Sequence, residues 1–366
     1  NQKDAREKKF DFGFRGEGYW LQGASQVIMD DNVAISANDA GLTIFGDSLN
    51  PETDFRDKDT IQVKNLAADV REQVAQPGQQ EIDVTDAPLT PKSGFESYNT
   101  HTGMRVWGIM TNFDGNLEFN SPEPQTAHQV RSLIDDFTLW GNRWEGLRVS
   151  YVSNLDFENG LIVGDVENPK GGSGLFHNHA TFSTHYKNIN VQGFNEGAQI
   201  EFLNEERDFT QSSITDSKFS NNTYHLTKVG DGGSKEGRPD DFPEAFAIKN
   251  TTFDQKSNNQ APAASFKVNA AGGLAVNFDG SDSRDSDPLK PDGISPAYPL
   301  DSKGIAAYGW DFNNDGKVDA FGRQVTHQFN QAGTYDVTLQ VLDNQGAVQT
   351  LTKTITVEPT AYANAF

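Results

Sequence analysis

The sequence predicts an all-β protein in two parts: a coil of short stacked strands, then a set of longer alternating strands near its end. Three observations carry this. No stretch shows the 3.6-residue apolar stripe over ten or more positions that a buried helix needs. A small residue, usually Gly, followed by a hydrophobic–x–hydrophobic triplet recurs through the larger, upstream part. Near the end, Gly333-Thr334-Tyr335 reads as a hairpin leading into the alternating Val337, Leu339 and Val341.

The recurring unit appears as Gly18-Tyr19-Trp20-Leu21, Gly41-Leu42-Thr43-Ile44, Gly103-Met104-Arg105-Val106, Gly146-Leu147-Arg148-Val149 and Gly197-Ala198-Gln199-Ile200. Two weaker copies follow, Thr223-Tyr224-His225-Leu226 and Ala245-Phe246-Ala247-Ile248. Their starts are separated by roughly 20–26 residues or small multiples of that, and such a period built from strands marks a β-solenoid. Asn-containing turns often precede the unit. Val33-Ala34-Ile35, Phe137-Thr138-Leu139, Leu155-Asp156-Phe157, Ile189-Asn190-Val191 and Ile214-Thr215-Asp216 are short, β-rich and bounded by Asn, Asp, Gly or Ser.

Composition narrows the setting. The chain has 366 residues, 35% of them hydrophobic, and a formal net charge of −22. That length suggests about two domains. A phosphate backbone is repelled by such a charge, so nucleic acid is not expected as a partner. There are no cysteines, which removes disulfides, thiolate metal sites and cysteine nucleophiles. No stretch reaches the ~18–20 apolar residues of a membrane span. Asn1 to Lys9 is charged and lacks the apolar segment of a signal peptide. Without an initiator Met, and entering a repeat almost at once, the chain is expected to start after processing or inside a longer protein.

Near the end, Tyr308, Trp310, Asp311, Phe312, Asn313, Asn314, Asp315 and Gly316 precede His327, Gln328, Phe329, Gly333, Thr334, Tyr335 and Val337. This pattern resembles the PKD domain, an immunoglobulin-like sandwich common on secreted and surface proteins, especially bacterial enzymes acting on polymers. The resemblance implies an extracellular or cell-surface bacterial location. Upstream, Gly16-Glu17-Gly18-Tyr19-Trp20-Leu21-Gln22-Gly23 and Asn142-Arg143-Trp144-Glu145-Gly146-Leu147-Arg148-Val149 resemble right-handed parallel β-helix repeats. The nearest sub-type is that of G8-domain and hyaluronan-processing surface proteins. This likeness covers roughly residues 11–257; the lost glycines and short spacing at 223 and 245 depart from it.

The predicted fold is therefore a right-handed parallel β-helix over 1–257, with an insertion at 66–94. A linker at 258–262 leads to an immunoglobulin-like PKD β-sandwich over 263–359, and residues 360–366 form a tail. Gly230–Pro243, rich in Gly and charge, is a second insertion.

Chemistry has several candidate positions. Asp311-x-Asn313-x-Asp315-Gly316-x-x-Asp319 places oxygen ligands at alternate positions, as a calcium loop does, and Lys317 completes the metal set. The Glu expected at its twelfth position is replaced by Gly322, and an Asx-rich turn explains the same residues without Ca2+. The acidic run Asp279, Asp282, Asp285 and Asp287 is a second candidate of the same kind. In the coil, Thr43, Arg105, Arg148, Gln199 and His225 hold the x position of the triplet and should face outward as a polar stripe, with Trp107 beside it. Parallel β-helix lyases and hydrolases bind acidic glycans along such a face, with Arg taking the carboxylates. An outward face is polar in any case.

His177, His179, Tyr186 and Lys187 gather base and acid side chains, and His101 is the next candidate catalytic residue. The same histidines also read as a metal pair or as ordinary packing. Asp135, Asp136, Asp156, Glu158, Asp165 and Glu167 could supply paired carboxylates for glycoside hydrolysis, with no separation fixed.

Two functions follow. One is polysaccharide binding or processing, by a lyase, hydrolase or epimerase if the chain is an enzyme, on an acidic or neutral polysaccharide. The other is a non-catalytic surface or assembly component whose N-terminal solenoid end pairs with another chain.

Overall fold

The computed structural model describes residues 16–23, 27–46, 60–75, 77–83, 87–90, 92–109, 130–169, 171–178, 181–202, 212–230, 246–254, 259–286, 304–343 and 345–359. Within them the chain is all-β apart from helix Ala68–Val74 and a 3-10 turn at Val63–Asn65. Short β-rich segments separated by Asn, Asp, Ser or Gly turn at those residues rather than running straight, even where pairing continues through the bends as in Glu145–Val163. They form an 18-stranded sheet whose strand pairings, among the described residues, are parallel.

Three parallel ladders organise this sheet. The first runs through Tyr19–Gln22, Ala40–Phe45, Thr102–Ile109, the start of Glu145–Val163, Ser173–His177, Glu196–Phe202 and Tyr224–Gly230. The second contains Met29–Asp30, Lys92–Ser93, Phe182–Lys187, Ser212–Thr215 and Phe246–Lys249, and the third Val33–Ile35, Glu96–Tyr98, Asn190–Gln192, Lys218–Ser220 and Thr252–Phe253. Strands Ser132–Trp140 and Glu145–Val163 contribute to both of these last two.

Residues at the corners between the second and third ladders take a left-handed conformation: Asp31, Gly94, Asp136, Asn159, Asn188, Asp216 and Asn250. Asn and Asp tolerate it better than other residues because the side chain bonds locally. Here they also bond each other: Asn188 donates to Asn159 at 2.6 Å, and Asn250 to Asp216 at 3.1 Å. The turn signals in the sequence thus mark one repeated corner.

The inward rows are apolar. Leu42, Met104, Leu147, Leu175, Ala198 and Leu226 form one, and Ile44, Val106, Val149 and Ile200 another, all 2% exposed or less. Each repeat buries few side chains of its own and relies on its neighbours, which is how a chain so rich in polar residues holds a core. The glycines of the repeat have a steric reason. A Cβ on Gly41, Gly103 or Gly146 would lie 2.5–2.7 Å from the carbonyl oxygen of the next residue in its row. No real side chain fits there.

The register revises two of the expected repeats. Gly174-Leu175-Phe176-His177 is a full repeat that the Gly-rich run 171–174 conceals, pairing with Gly146-side and Gly197-side neighbours. At the far end, Gln199 pairs with Thr227 and not with His225, so His225 occupies the glycine row. The segment at 245 lies on the second ladder, Ser212 pairing with Phe246. Both shifts arise because no glycine pins the register there.

The expected excursion at 66–94 is folded. Strands Thr60–Gln62 and Glu81–Asp83 pair antiparallel around helix Ala68–Val74, and Val63, Leu66, Val74, Ile82 and Ala87 form a small core of their own. By Leu89 and Lys92 the chain is back in the main stack. Most of the 230–243 insertion lies outside the described residues.

Beyond the linker, strands Lys267–Gly272, Ala275–Asp279 and Gln324–Gln328 form one antiparallel sheet. Ile305–Asp311, Ala320–Phe321, Gly333–Asp343 and Val348–Val357 form the other. Phe266, Phe278, Trp310, Phe312, Phe329, Val337, Leu339 and Val341 fill the space between. Trp310 is fully buried and donates its indole N–H to the Gly322 carbonyl at 2.8 Å, which satisfies its one polar atom.

Candidate polymer-binding face

Side chains alternate along the first ladder, so its outer side is built from two rows. Register aligns Trp20, Thr43, Arg105, Arg148, Phe176, Gln199 and Thr227 in one, and Gln22, Phe45, Trp107 and Ser150 in the other. Arg105, Arg148 and Gln199 thus stand on a common line. Thr43 shares it but is 2% exposed, covered by its larger neighbours. His225 is fully buried at the end of the glycine row, donating or accepting at Nε2 with Asp254, and cannot serve an outward stripe.

Aromatic rings dominate one end of this face. Trp20 packs edge-on against Phe45 at 6.3 Å, Phe45 tilts against Trp107 at 5.0 Å, and Trp107 stacks on Tyr151 at 6.2 Å. Trp107 is 41% exposed. Tyr151 follows Ser150, the partner of Trp107, so the four rings belong to four successive layers of the stack.

The arginines beside them are already occupied. Arg105 forks onto both Asp39 oxygens at 3.1 Å. Arg148 donates to Glu145 at 2.6 Å and lies over the Phe176 ring at 4.6 Å. His101, 44% exposed at its side chain, stacks on Trp144 at 6.1 Å and sits 3.9 Å from Asp39. Glu196 lies on the same ladder; burial raises its carboxyl pKa, against hydrogen bonds from Thr227 and Ser173 that lower it. Nothing in the local sequence distinguished Glu196, because only the register brings it here.

The histidine cluster is dispersed. His177 points inward on the row of Ile44, Val106, Val149 and Ile200, and burial holds its pKa down to about 3. Its Nδ1 lies 3.0 Å from the Tyr186 hydroxyl, and Tyr186 is buried on the second ladder with its pKa pushed well up by the same cause. Neither reaches an external substrate, so the expectation that they act on a bound polymer fails on burial. Lys187 is exposed and pairs with Glu158 at 3.7 Å, while His179 lies outside the described residues.

Four of the six carboxylates considered for hydrolysis, Asp135, Asp156, Glu158 and Asp165, are likewise engaged. Asp156 takes a bidentate grip from Arg131, and Asp165 accepts from the main chain of Glu167 and Asn168. The sequence reading passed over Lys92, whose side chain is buried on an inward row and donates to the carbonyls of Val27 and Thr90. Desolvation lowers its pKa to about 8, opposed by Asp30.

In the sandwich, the acidic loop is folded onto itself. Asp311 Oδ1 accepts from the N–H groups of Asn313 and Asp315, and its Oδ2 accepts from Gly316. Asn313 accepts from the Asp315 N–H, Asp315 from Lys317, and Asp319 from Phe312. These are Asx turns, and they account for the motif without an ion. Among the described residues no group of three or more His, Cys, Asp or Glu side chains converges to hold a metal. Calcium at Asp311, Asn313, Asp315, Lys317 and Asp319 therefore rests on the sequence motif alone.

Comparison with known proteins bears on the sandwich. Residues 299–358 match the PKD domain family. Over 82 residues the chain is 35% identical to collagenase ColA of Clostridium perfringens, a stretch that is 22% of this chain and 6% of the collagenase. Among solved structures, the PKD1 domain of Vibrio anguillarum Epp is 32% identical, covering 28% of this chain and all of that one, with a TM-score of 0.22. A structure of carbohydrate-binding modules from the β-sandwich superfamily is also 32% identical, covering 29% of this chain and 38% of that chain, with a TM-score of 0.22. No helix among the described residues is long and apolar enough to cross a membrane.

Proposed function

We propose that this chain is the polysaccharide-binding or polysaccharide-processing part of an extracellular bacterial protein. The three parallel ladders are read as a right-handed parallel β-helix, and its outer first ladder as the polymer face. One observation carries the reading: Trp20, Arg105, Arg148 and Gln199, scattered over some 180 residues of sequence, fall on a single row with Phe45 and Trp107 beside it. The PKD match supports the extracellular setting, since the family is carried by surface and secreted proteins. If the polymer is also cleaved, His101, 44% exposed and 3.9 Å from Asp39, is the base we assign.

The direct test is retention of the full chain on a panel of insoluble and gel-embedded polysaccharides, neutral and acidic. Retention on at least one, lost in Trp107→Ala, is expected. Failure to bind any polysaccharide would remove the proposal.

A second reading, a non-catalytic assembly component, draws on a different patch. Ile28, Val33 and Ile35 are 72%, 44% and 70% exposed at the first layers of the stack. Analytical ultracentrifugation separates the two: concentration-dependent association abolished by Ile35→Lys favours assembly, and a monomer at all concentrations excludes it.

A further inference from the structure

Charge and spacing on the outer ladder narrow the substrate class, given that the polymer reading above holds. Two features matter. First, both arginines that point outward are neutralised within the face, Arg105 by Asp39 and Arg148 by Glu145. A carboxylate-rich polymer would have to displace a paired carboxylate from each while approaching a chain of net charge −22. Second, four rings occur once per layer, at 6.3, 5.0 and 6.2 Å from one to the next. Layers of a β-stack are about 4.8 Å apart, close to the length of one sugar unit in an extended chain.

We propose that this face binds a neutral, extended polysaccharide lying along the stack axis, across the layers, with the exposed Trp107 as its stacking ring, held in place by Phe45 on one side and Tyr151 on the other. A pyranose carries C–H groups on its flat faces, and these pack on the electron-rich faces of aromatic rings while the hydroxyls stay in the ring plane. The arginines hydrogen-bond those hydroxyls through guanidinium N–H groups left over from their carboxylate partners; each has five donors. Held by Asp39 and Glu145, they are fixed in position before the polymer arrives, which limits the entropy lost on binding.

The experiment uses the full chain and neutral oligosaccharides of increasing length, with a polyuronate series of the same lengths as the charged comparison. Affinity for the neutral series should exceed that for the polyuronates at every length. Binding should change less than twofold between low and high salt, because no net charge is exchanged. Trp107→Ala should weaken binding at least tenfold, and Trp107→Phe should recover most of the loss. If polyuronates bind more tightly and salt releases them, the face is still a polysaccharide site but the neutral assignment is wrong. Neutral binding that is indifferent to Trp107 overturns the stacking role. No binding to either series would instead bring down the broader reading.

Discussion

At the residue scale, His177 shows how an inward position overrides side-chain chemistry. Its neighbours along the row are Val149 and Ile200, so the neutral imidazole is buried where a branched aliphatic would otherwise sit. The consequence is a pH-dependent stability. The folded pKa of about 3 lies below the ordinary value of 6.5, so on acidification the unfolded chain takes up the proton first. Stability is full above about pH 6.5 and is lost as the pH falls toward 3, by up to a few kcal/mol. Urea unfolding of the wild type at pH 7 and pH 5 should show that loss, and the double variant His177→Val, Tyr186→Phe should show a smaller one. An equal loss in both would mean that other groups control the acid response. His177→Val alone should cost about 1–3 kcal/mol at pH 7, since it leaves the buried Tyr186 hydroxyl without its imidazole partner.

At the element scale, the repeat was legible because three local signals agree: a glycine that must lack a Cβ, an alternating triplet, and an Asn or Asp at the corner. Where one signal drops out, reading from sequence slips. Gly174 was hidden in a run of glycines, and His225 was placed two residues out of register because the layer that ends the row tolerates a side chain. The cross-layer pairings, Arg105 with Asp39 and Glu196 with Ser173, were not legible at all, since they join residues that only stacking brings together. The same distinction yields two predictions. Gly103→Ala forces a Cβ to within 2.7 Å of the Gly146 carbonyl and 2.9 Å of the Leu139 Cβ, and should destabilise the stack by about 1–3 kcal/mol in urea titrations. A change within 0.5 kcal/mol would show that the layers separate easily. In the acidic loop, Asp311 holds three main-chain N–H groups, so Asp311→Ala should lower the melting temperature markedly while EDTA leaves that of the wild type unchanged. A drop on adding EDTA would restore calcium to this loop.

At the scale of the whole molecule, the sandwich is docked on the stack and covers its last layer. Ala306, Ala307 and Leu342 are buried in the same apolar cluster as Leu226 and Ile248. The turn after strand Gly333–Asp343 presses closest: a Cβ on Gly346 would lie 2.3 Å from that of Phe253 and 3.3 Å from the His225 ring. Asp343, buried at this junction with its pKa raised by desolvation, accepts from Asn259 and from the N–H groups of Gln345 and Ala347. A stack of parallel strands needs its last layer covered, because an open end exposes apolar rows and unpaired strand edges. The sandwich supplies that cover here, which is a structural role beyond that of a spacer. Gly346→Val should therefore push the two parts apart, and because Gly346 has φ +94° it also strains its own turn at the edge of the sandwich. Calorimetry of the wild type should show a single transition, and the variant two, with the stack melting first. Two separate transitions already in the wild type, unmoved by Gly346→Val, would mean that the contact contributes nothing to stability and that the stack end is closed by some other means.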